Sequence, residues 1–486
     1  MGGATLAAAL APTGRQLLIL ERGPYLEPSA ADRDPTAIFR DGVFRPRETW
    51  LDGSGRGFNP GNYYNVGGNS RFYGAVLIRY RAEDFAPIRH AGGQSIGWPI
   101  SYDELEPDYQ AAENLYAVRG DTDQDPTEPA HSGRYPHPPV PDEPDIADLR
   151  QRLERVGLHP ASLPLGVDLD RWMAGGQTTW DAYPNTCGGK MDAQTGGLTK
   201  ALEHPNVTLK TGWHVRKLIS DSAGTITSLT CDTPDGALTL SAPIIVLAAG
   251  AVQTAALLLE SASEAHPNGL ANRSDQVGRN FMNHNSSAVL AVHPFRKNRA
   301  IYQKTLMVND WYGATADDAP LGNVQMLGKI TGPILAAGSR LPGPLASWVA
   351  ARSFDFYAMS EDLPDPDSRV TVNNGQITLD WRRSNWDAHQ RLVKRLKSKL
   401  RQAGFPIVVS QAFDRRTPSH QCGTARMGRD PDHSVVDTVC RSHDHPNLFI
   451  VDASVLPSSA AVNPALTIAA LALRAGRHIT RTEDAA

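Results

Sequence analysis

The sequence predicts an α/β chain in two parts, and three observations predict it. A small-residue helix, a turn and an apolar run ending in an acidic residue open the chain. Near residue 250 a buried apolar run passes through a small-residue turn into another helix. Residues 286–381 switch to alternating runs broken by glycine, proline and asparagine. The first two are pieces of a parallel, Rossmann-like nucleotide-binding unit, and the third is a mostly antiparallel sheet inserted into it and covered by helices.

Composition bounds the partners. A chain of 486 residues can bury a large core, and 48 basic against 52 acidic residues leave a formal charge of −4. That balance provides no field to attract nucleic acid or an anionic membrane. No stretch approaches the roughly 18 apolar residues of a membrane helix. Neither partner is expected. Cys187, Cys231, Cys422 and Cys440 are widely spaced without a C-x-x-C pair, which suggests no zinc site and no disulfide framework and fits a reducing cytoplasm. No metal site is expected, and the oligomeric state is not legible.

Ala4 to Ala11 are helix formers, Pro12 to Gly14 break the helix, and Gln16 to Leu20 read as a strand ending in Glu21-Arg22-Gly23. In a dinucleotide-binding unit the helix starts on glycines, here Gly2 and Gly3, and an acid about 20 residues on takes a ribose hydroxyl, here Glu21. The first strand and opening glycines of that fingerprint are missing. We read the start as clipped, with Met1 internal and roughly ten or more residues upstream. By itself the segment also fits a surface helix followed by a buried strand.

FNPGNYYNVGGNSRFYG follows, where Gly67 and Gly68 let backbone approach a flat ligand. In GWPISYDELEPDYQAAENLYAVRG, Pro99 and Ser101 to Asp103 open a helix that Gly120 closes. Asp121 to Asp145 is an irregular, proline-rich, lid-like excursion. A helix around Ile146 to Gly157 and strands at Val207–Leu209 and Ile226–Cys231 lead to Ile244–Leu247, a strand running into the turn Ala248 to Ala251 and a helix over Thr254 to Leu259. Such a turn brings backbone near a cofactor or serves helix–sheet packing. SAVLAVHPF, NVQMLGKI, RSFDFYAMS and QITLDW form the inserted sheet, covered by a basic amphipathic helix from about Asn385 to Ala403 whose cations are a solvated face. The expected division is 1–285 with a 58–165 loop and excursion, 286–405 for substrate, and 406–486 returning to the first domain.

The C-terminal SHQCGTARMGRDP and VNPALTIAALALRAGRHI carry the most specific signal. With LLILERG, NVGGNSRFYGAVLIRYR, WPISYDELEPDY, APIIVLAAGAVQTAALLLES and VGRNFMNH, they resemble, in order, the glucose-methanol-choline (GMC) flavin oxidoreductases. The resemblance implies an FAD-binding Rossmann-like domain with an inserted substrate domain. It puts His420 and Asn463 at the reacting carbon. It implies FAD contacts from Gly2, Gly3, Glu21, Arg22, Gly67, Gly68, Asn69, Ser70, Phe72, Tyr73, Gly74, Val215, Ala249, Gly250, Asp452, Ala453, Asn463, Pro464 and Thr467.

Oxidising an alcohol removes a hydroxyl proton and a hydride from one carbon, so the site needs a base beside an electron sink. His420 is the base, and Asn463 holds the substrate oxygen, caps the following helix, or does both. Some relatives attach flavin through a histidine two positions after the serine of G-G-x-S. Here that position is Phe72, so FAD is expected to be non-covalent. The motif context looks most like bacterial pyranose oxidases and glycoside 3-oxidases. The expected reaction is oxidation of a secondary alcohol of a sugar or glycoside, with Gln325 and Tyr357 lining the pocket and oxygen or another acceptor taking the electrons. Gly74 is expected to leave room for oxygen. His284, His433, His443 and His445 read as surface or structural. A non-sugar alcohol, a non-oxidising flavoprotein and an inactive relative are the alternatives.

Overall fold

The computed structural model describes residues 1–174, 181–314, 319–339, 341–417 and 420–483. The opening helix Gly2–Leu10 leads into strand Leu17–Glu21, which runs parallel to Val207–Thr211 with Glu21 opposite Thr211. A second parallel pair joins Ile245–Leu247 to Leu448–Ile450 and returns the C-terminal region to the first half of the chain. The last helix, Ala465–Glu483, lies against both the opening helix and Tyr102–Leu115. Small residues allow that approach: a Cβ on Gly476 would sit 3.1 Å from Ala9 and 3.2 Å from Leu6.

The inserted sheet has six strands in the order Ile407–Ala412, Asn285–Val292, Ser353–Ser360, Asn323–Met326, Leu306–Val308 and Pro160–Ser162. All neighbours are antiparallel. Two of these strands come from outside residues 286–405. Side chains alternate across a strand, and here the alternation separates a packing face from a polar one. Val289, Val324, Phe356 and Ala358 pack under helices Pro144–Arg155 and Trp386–Gln402, together with Leu392, Leu396 and Leu400. Each of those leucines is at most 1% exposed, worth about 1.5–3 kcal/mol apiece. Ala288, Gln325 and Tyr357 take the other face, where Tyr357 is paired directly with both of the others.

Two expectations are corrected. QITLDW does not join the inserted sheet: Gln376–Asp380 pairs with Arg369–Asn373 and, in parallel, with Trp50–Asp52. Alternation identifies a strand but not its partner. The second helix is opened by Ser101 in a reciprocal capping box with Glu104, but it ends at Leu115 rather than at Gly120. Ala117 turns left-handed at φ 47° and the Val118 amide bonds back to the Glu113 carbonyl.

The lid-like excursion is irregular and pinned down. Arg81 pairs with Asp125 at 2.5 Å and with Glu128 at 3.5 Å, and the Tyr102 hydroxyl donates to the Ala130 carbonyl at 2.6 Å. No helix among the described residues is long and apolar enough to cross a membrane.

Candidate active site

His420 sits in the left-handed region at φ 66°, a conformation rare outside glycine and held by its surroundings. Residues 418 and 419, just before it in the C-terminal motif, lie outside the described residues. Its Nε2 faces the Asn463 amide nitrogen at 3.2 Å, and the Asn463 carbonyl oxygen accepts from Gln325 Nε2 at 3.1 Å. The Asn463 amide is thus held in one orientation, oxygen to Gln325 and nitrogen to His420. The final helix starts two residues later, at Ala465.

His420 and Asn463 each keep an edge open, whereas Gln325 is 2% exposed. Gln325 Oε1 is buried with no partner, leaving an acceptor for a ligand hydroxyl. The opposed Tyr357 packs near Phe413, ring centroids 6.0 Å apart, with Leu327 and Met359 alongside. Burial holds the His420 imidazole well below the ordinary histidine range, and His284 and Lys304 push the same way.

His284 had no distinctive setting in the sequence. In the structure it is 1% exposed, its Nδ1 is 2.9 Å from His420 Nδ1, and its Nε2 is 2.9 Å from the Ser459 carbonyl. The cue was VGRNFMNH, which places it immediately before a central strand of the inserted sheet.

Lys304 carried no sequence signal at all. It is buried, pairs with Asp181 at 2.5 Å and sits against Gly74, where any Cβ would collide with its ammonium group. The room expected at Gly74 is therefore occupied by a cation. His443 bonds Ser434 and the Gly428 carbonyl, and His445 bonds the Gly224 carbonyl and the Ala271 amide, both structural uses. His433 is exposed.

The candidate nucleotide cradle lies at the carboxyl ends of the parallel strands, where α/β sheets bind ligands. Glu21, Asp192 and Asp452 lie near Met1, at the start of the opening helix. The Glu21 carboxylate accepts from the Gly23 amide at 2.8 Å, and burial raises its pKa. The Arg22 guanidinium lies 3.8 Å over the Tyr64 ring. Gly2 must be glycine because a Cβ would overlap the Val451 carbonyl, and a Cβ on Gly3 would lie 3.0 Å from Ala248. Gly68 at φ 55° and Gly250 at φ 88° present bare backbone, with nothing within 4 Å of a Cβ position.

Ser70 bonds the Gly67 carbonyl and the Ala193 amide, Asn69 receives the Tyr63 amide, and the Tyr73 hydroxyl donates to the Met191 carbonyl. Phe72 stacks on Tyr63 at 3.7 Å. Both Asp452 oxygens are already engaged, one by the Gly250 amide and Thr254, the other by the amide and hydroxyl of Ser454. That carboxylate therefore ties the turn to the C-terminal segment, and Ala453 continues into a short 3-10 turn. The hydroxyl of Thr467 meets Tyr109 at 2.8 Å, Pro464 accepts the Ile468 amide, and Val215 pairs with Cys231. An open cradle of bare glycine backbone, a helix N-terminus and an acid at a strand end fits a dinucleotide cofactor.

Two family models, both described as GMC oxidoreductase, match residues 153–286 and 364–472, together half of the chain. The chain belongs to the GMC oxidoreductase family. Members are FAD-binding flavoproteins, and this GMC oxidoreductase is an enzyme acting on CH–OH groups. It is 28% identical to paromamine 6'-oxidase of Streptomyces fradiae, over 98% of this chain and 89% of that protein. It is also 28% identical to 2-methyl-1,2-propanediol dehydrogenase of Mycolicibacterium austroafricanum, over 99% and 93%. The crystal structure of pyridoxine 4-oxidase from Mesorbium loti shares its fold with a TM-score of 0.66 at 21% identity, covering 99% of this chain and 97% of the other.

Proposed function

We propose that this GMC oxidoreductase oxidises a secondary alcohol of a sugar or glycoside to the ketone, with His420 as the base and FAD bound non-covalently. The observation that carries this is the set His420, Asn463 and Gln325, a half-buried imidazole held toward its neutral form beside an amide locked by its neighbour. A substrate hydroxyl reaches both groups by replacing their mutual contact, giving its proton to His420 Nε2 while the Asn463 amide donates to its oxygen. FAD, when bound, supplies the acceptor for the two electrons of the C–H bond. Residues of the opening helix, Glu21, the 67–74 segment, the 249–250 turn and residues 452–467 hold it. Oxygen or a second acceptor then recovers the electrons.

The sugar reading is supported by the polar face of the inserted sheet. The unpartnered Gln325 acceptor suits a hydroxyl, and Tyr357 and Phe413 suit the C–H face of a pyranose. It is supported too by the likeness to an oxidase of paromamine. The dehydrogenase relative favours a second reading, a small non-sugar diol. Residues 1–285 and 406–486 form the FAD-binding part and 286–405 most of the substrate part. Anaerobic addition of glucose, methyl glycosides and 2-methyl-1,2-propanediol to the yellow protein separates the readings. Bleaching by a sugar supports the first, bleaching by the diol alone supports the second, and an oxidised flavin with all of them sinks both.

Two further outcomes are expected. Phe72 presents a carbon ring where attachment would need a nucleophilic nitrogen, so acid precipitation should leave all the flavin in the supernatant. Yellow colour in the pellet would contradict the non-covalent assignment. The active form of His420 is neutral and its folded pKa is depressed, so that form persists below the ordinary value of about 6.5. The rate constant for flavin reduction should be flat at neutral pH and fall only as pH drops through a pKa below that value. Stopped-flow measurement across pH checks this, and an acid limb centred above neutrality contradicts it.

A further inference from the structure

The contact between His284 and His420 constrains where protons sit. A carbonyl oxygen only accepts, so His284 Nε2, 2.9 Å from the Ser459 carbonyl, carries a hydrogen and donates it. The same carbonyl receives the Tyr80 hydroxyl at 2.9 Å, which fixes it as an acceptor for two donors. A neutral imidazole with hydrogen on Nε2 has a bare Nδ1. Burial favours the neutral form of His284, the Ser459 carbonyl and Glu361 opposing it only in part. His284 Nδ1 therefore presents a lone pair to His420 Nδ1 at 2.9 Å, and that contact is a hydrogen bond only if His420 carries its hydrogen on Nδ1.

We infer that His284 is a positioning residue for the reaction: by accepting from His420 Nδ1–H it leaves the lone pair of His420 on Nε2, facing Asn463 and the substrate hydroxyl. This rests on the reading of His420 as the base. In the step it serves, the substrate O–H bond breaks, its electron pair stays on oxygen and the proton goes to Nε2. The imidazolium so formed keeps its Nδ1–H directed at His284, and the cation is stabilised by an acceptor already in place. The relay is backbone-anchored: Ser459 Oγ donates to the Asp362 carbonyl and accepts from the Asp362 amide, so the carbonyl that orients His284 is itself held. The chain runs from Ser459 through His284 to His420 without using a carboxylate.

The test separates this role from simple packing. An Asn side chain places an acceptor near the former Nδ1, whereas Gln reaches the Nε2 position and keeps the donor to Ser459 but supplies no acceptor to His420. In the oxidised holoenzyme, long-range proton–nitrogen NMR of labelled histidine should show His420 with hydrogen on Nδ1 and a bare Nε2. His284→Asn should keep that tautomer and reduce flavin within about fivefold of wild type. His284→Gln should move His420 toward the Nε2–H tautomer and slow reduction on the order of 10²-fold, in kcat rather than KM. Hydrogen on His420 Nε2 in the wild-type enzyme overturns the inference, as does a His284→Gln enzyme as fast as His284→Asn. Either result alongside a His420→Ala enzyme that cannot reduce flavin removes the relay and keeps the base. A His420→Ala enzyme with unchanged reduction removes the base itself.

Discussion

Anaerobic flavin reduction by saturating substrate is expected to slow on the order of 10³-fold in His420→Ala, while the protein keeps its FAD. The magnitude follows from what remains. Without the imidazole, the Gln325 amide that still contacts Asn463 is a donor with no basic nitrogen, and Lys304, the nearby cation, is paired with Asp181. His284 is too far back to replace it, because it reaches the site only through His420. FAD content should not change, since His420 touches the proposed cradle through Asn463, whose amide Gln325 still holds when the imidazole is gone. A visible spectrum at full flavin occupancy together with stopped-flow traces decides the matter. Reduction within tenfold of wild type would remove His420 from the role of base, and lost flavin would show that the residue serves the cradle instead.

The second large effect concerns stability. Arg79→Met is expected to destabilise the fold by about 3–5 kcal/mol, because it strips the counter-ion from a carboxylate that has no access to water. The side chains of Arg79 and Glu113 are both fully buried, and they meet through two parallel contacts, Nε to Oε1 at 2.7 Å and Nη2 to Oε2 at 2.8 Å. Arg79 also donates to Glu106 at 3.0 Å and to the Tyr102 hydroxyl at 2.8 Å, so one guanidinium joins the segment after the glycine-rich loop to the second helix. Replacing both partners, Arg79→Met with Glu113→Leu, should recover much of the loss, because two apolar groups leave no charge stranded. Urea unfolding of the three proteins provides the comparison. A single variant within 1 kcal/mol of wild type would mean that water or a rearranged partner reaches Glu113.

What was legible in the sequence was local. The run SHQCGTARMG and the VNP before the last helix mark His420 and Asn463 because both lie in short motifs whose residues act within a few positions of one another. The strand at Leu17–Glu21, the turn at Ala248 to Ala251 and the basic amphipathic helix followed from periodicity and punctuation, which are properties of a dozen residues at a time. The nature of residue 72, a carbon ring rather than an imidazole, is likewise a fact of the sequence.

Tertiary structure decided how distant segments meet. His284 and His420 are 136 positions apart, and Gln325 and Asn463 are 138 apart. No local pattern records either pairing, so a histidine that reads as structural becomes the neighbour of the candidate base. Likewise QITLDW announces a strand, but Trp50–Asp52 claims it because a strand edge accepts whichever partner the rest of the chain delivers. Gly74 reads as open space until the fold brings Lys304 into it. The sequence by itself determined the family resemblance, the residue types of the candidate pair His420 and Asn463, and the form of the elements. The fold determined which buried polar groups face one another, because desolvation requires each to find a partner and only three-dimensional packing selects which one.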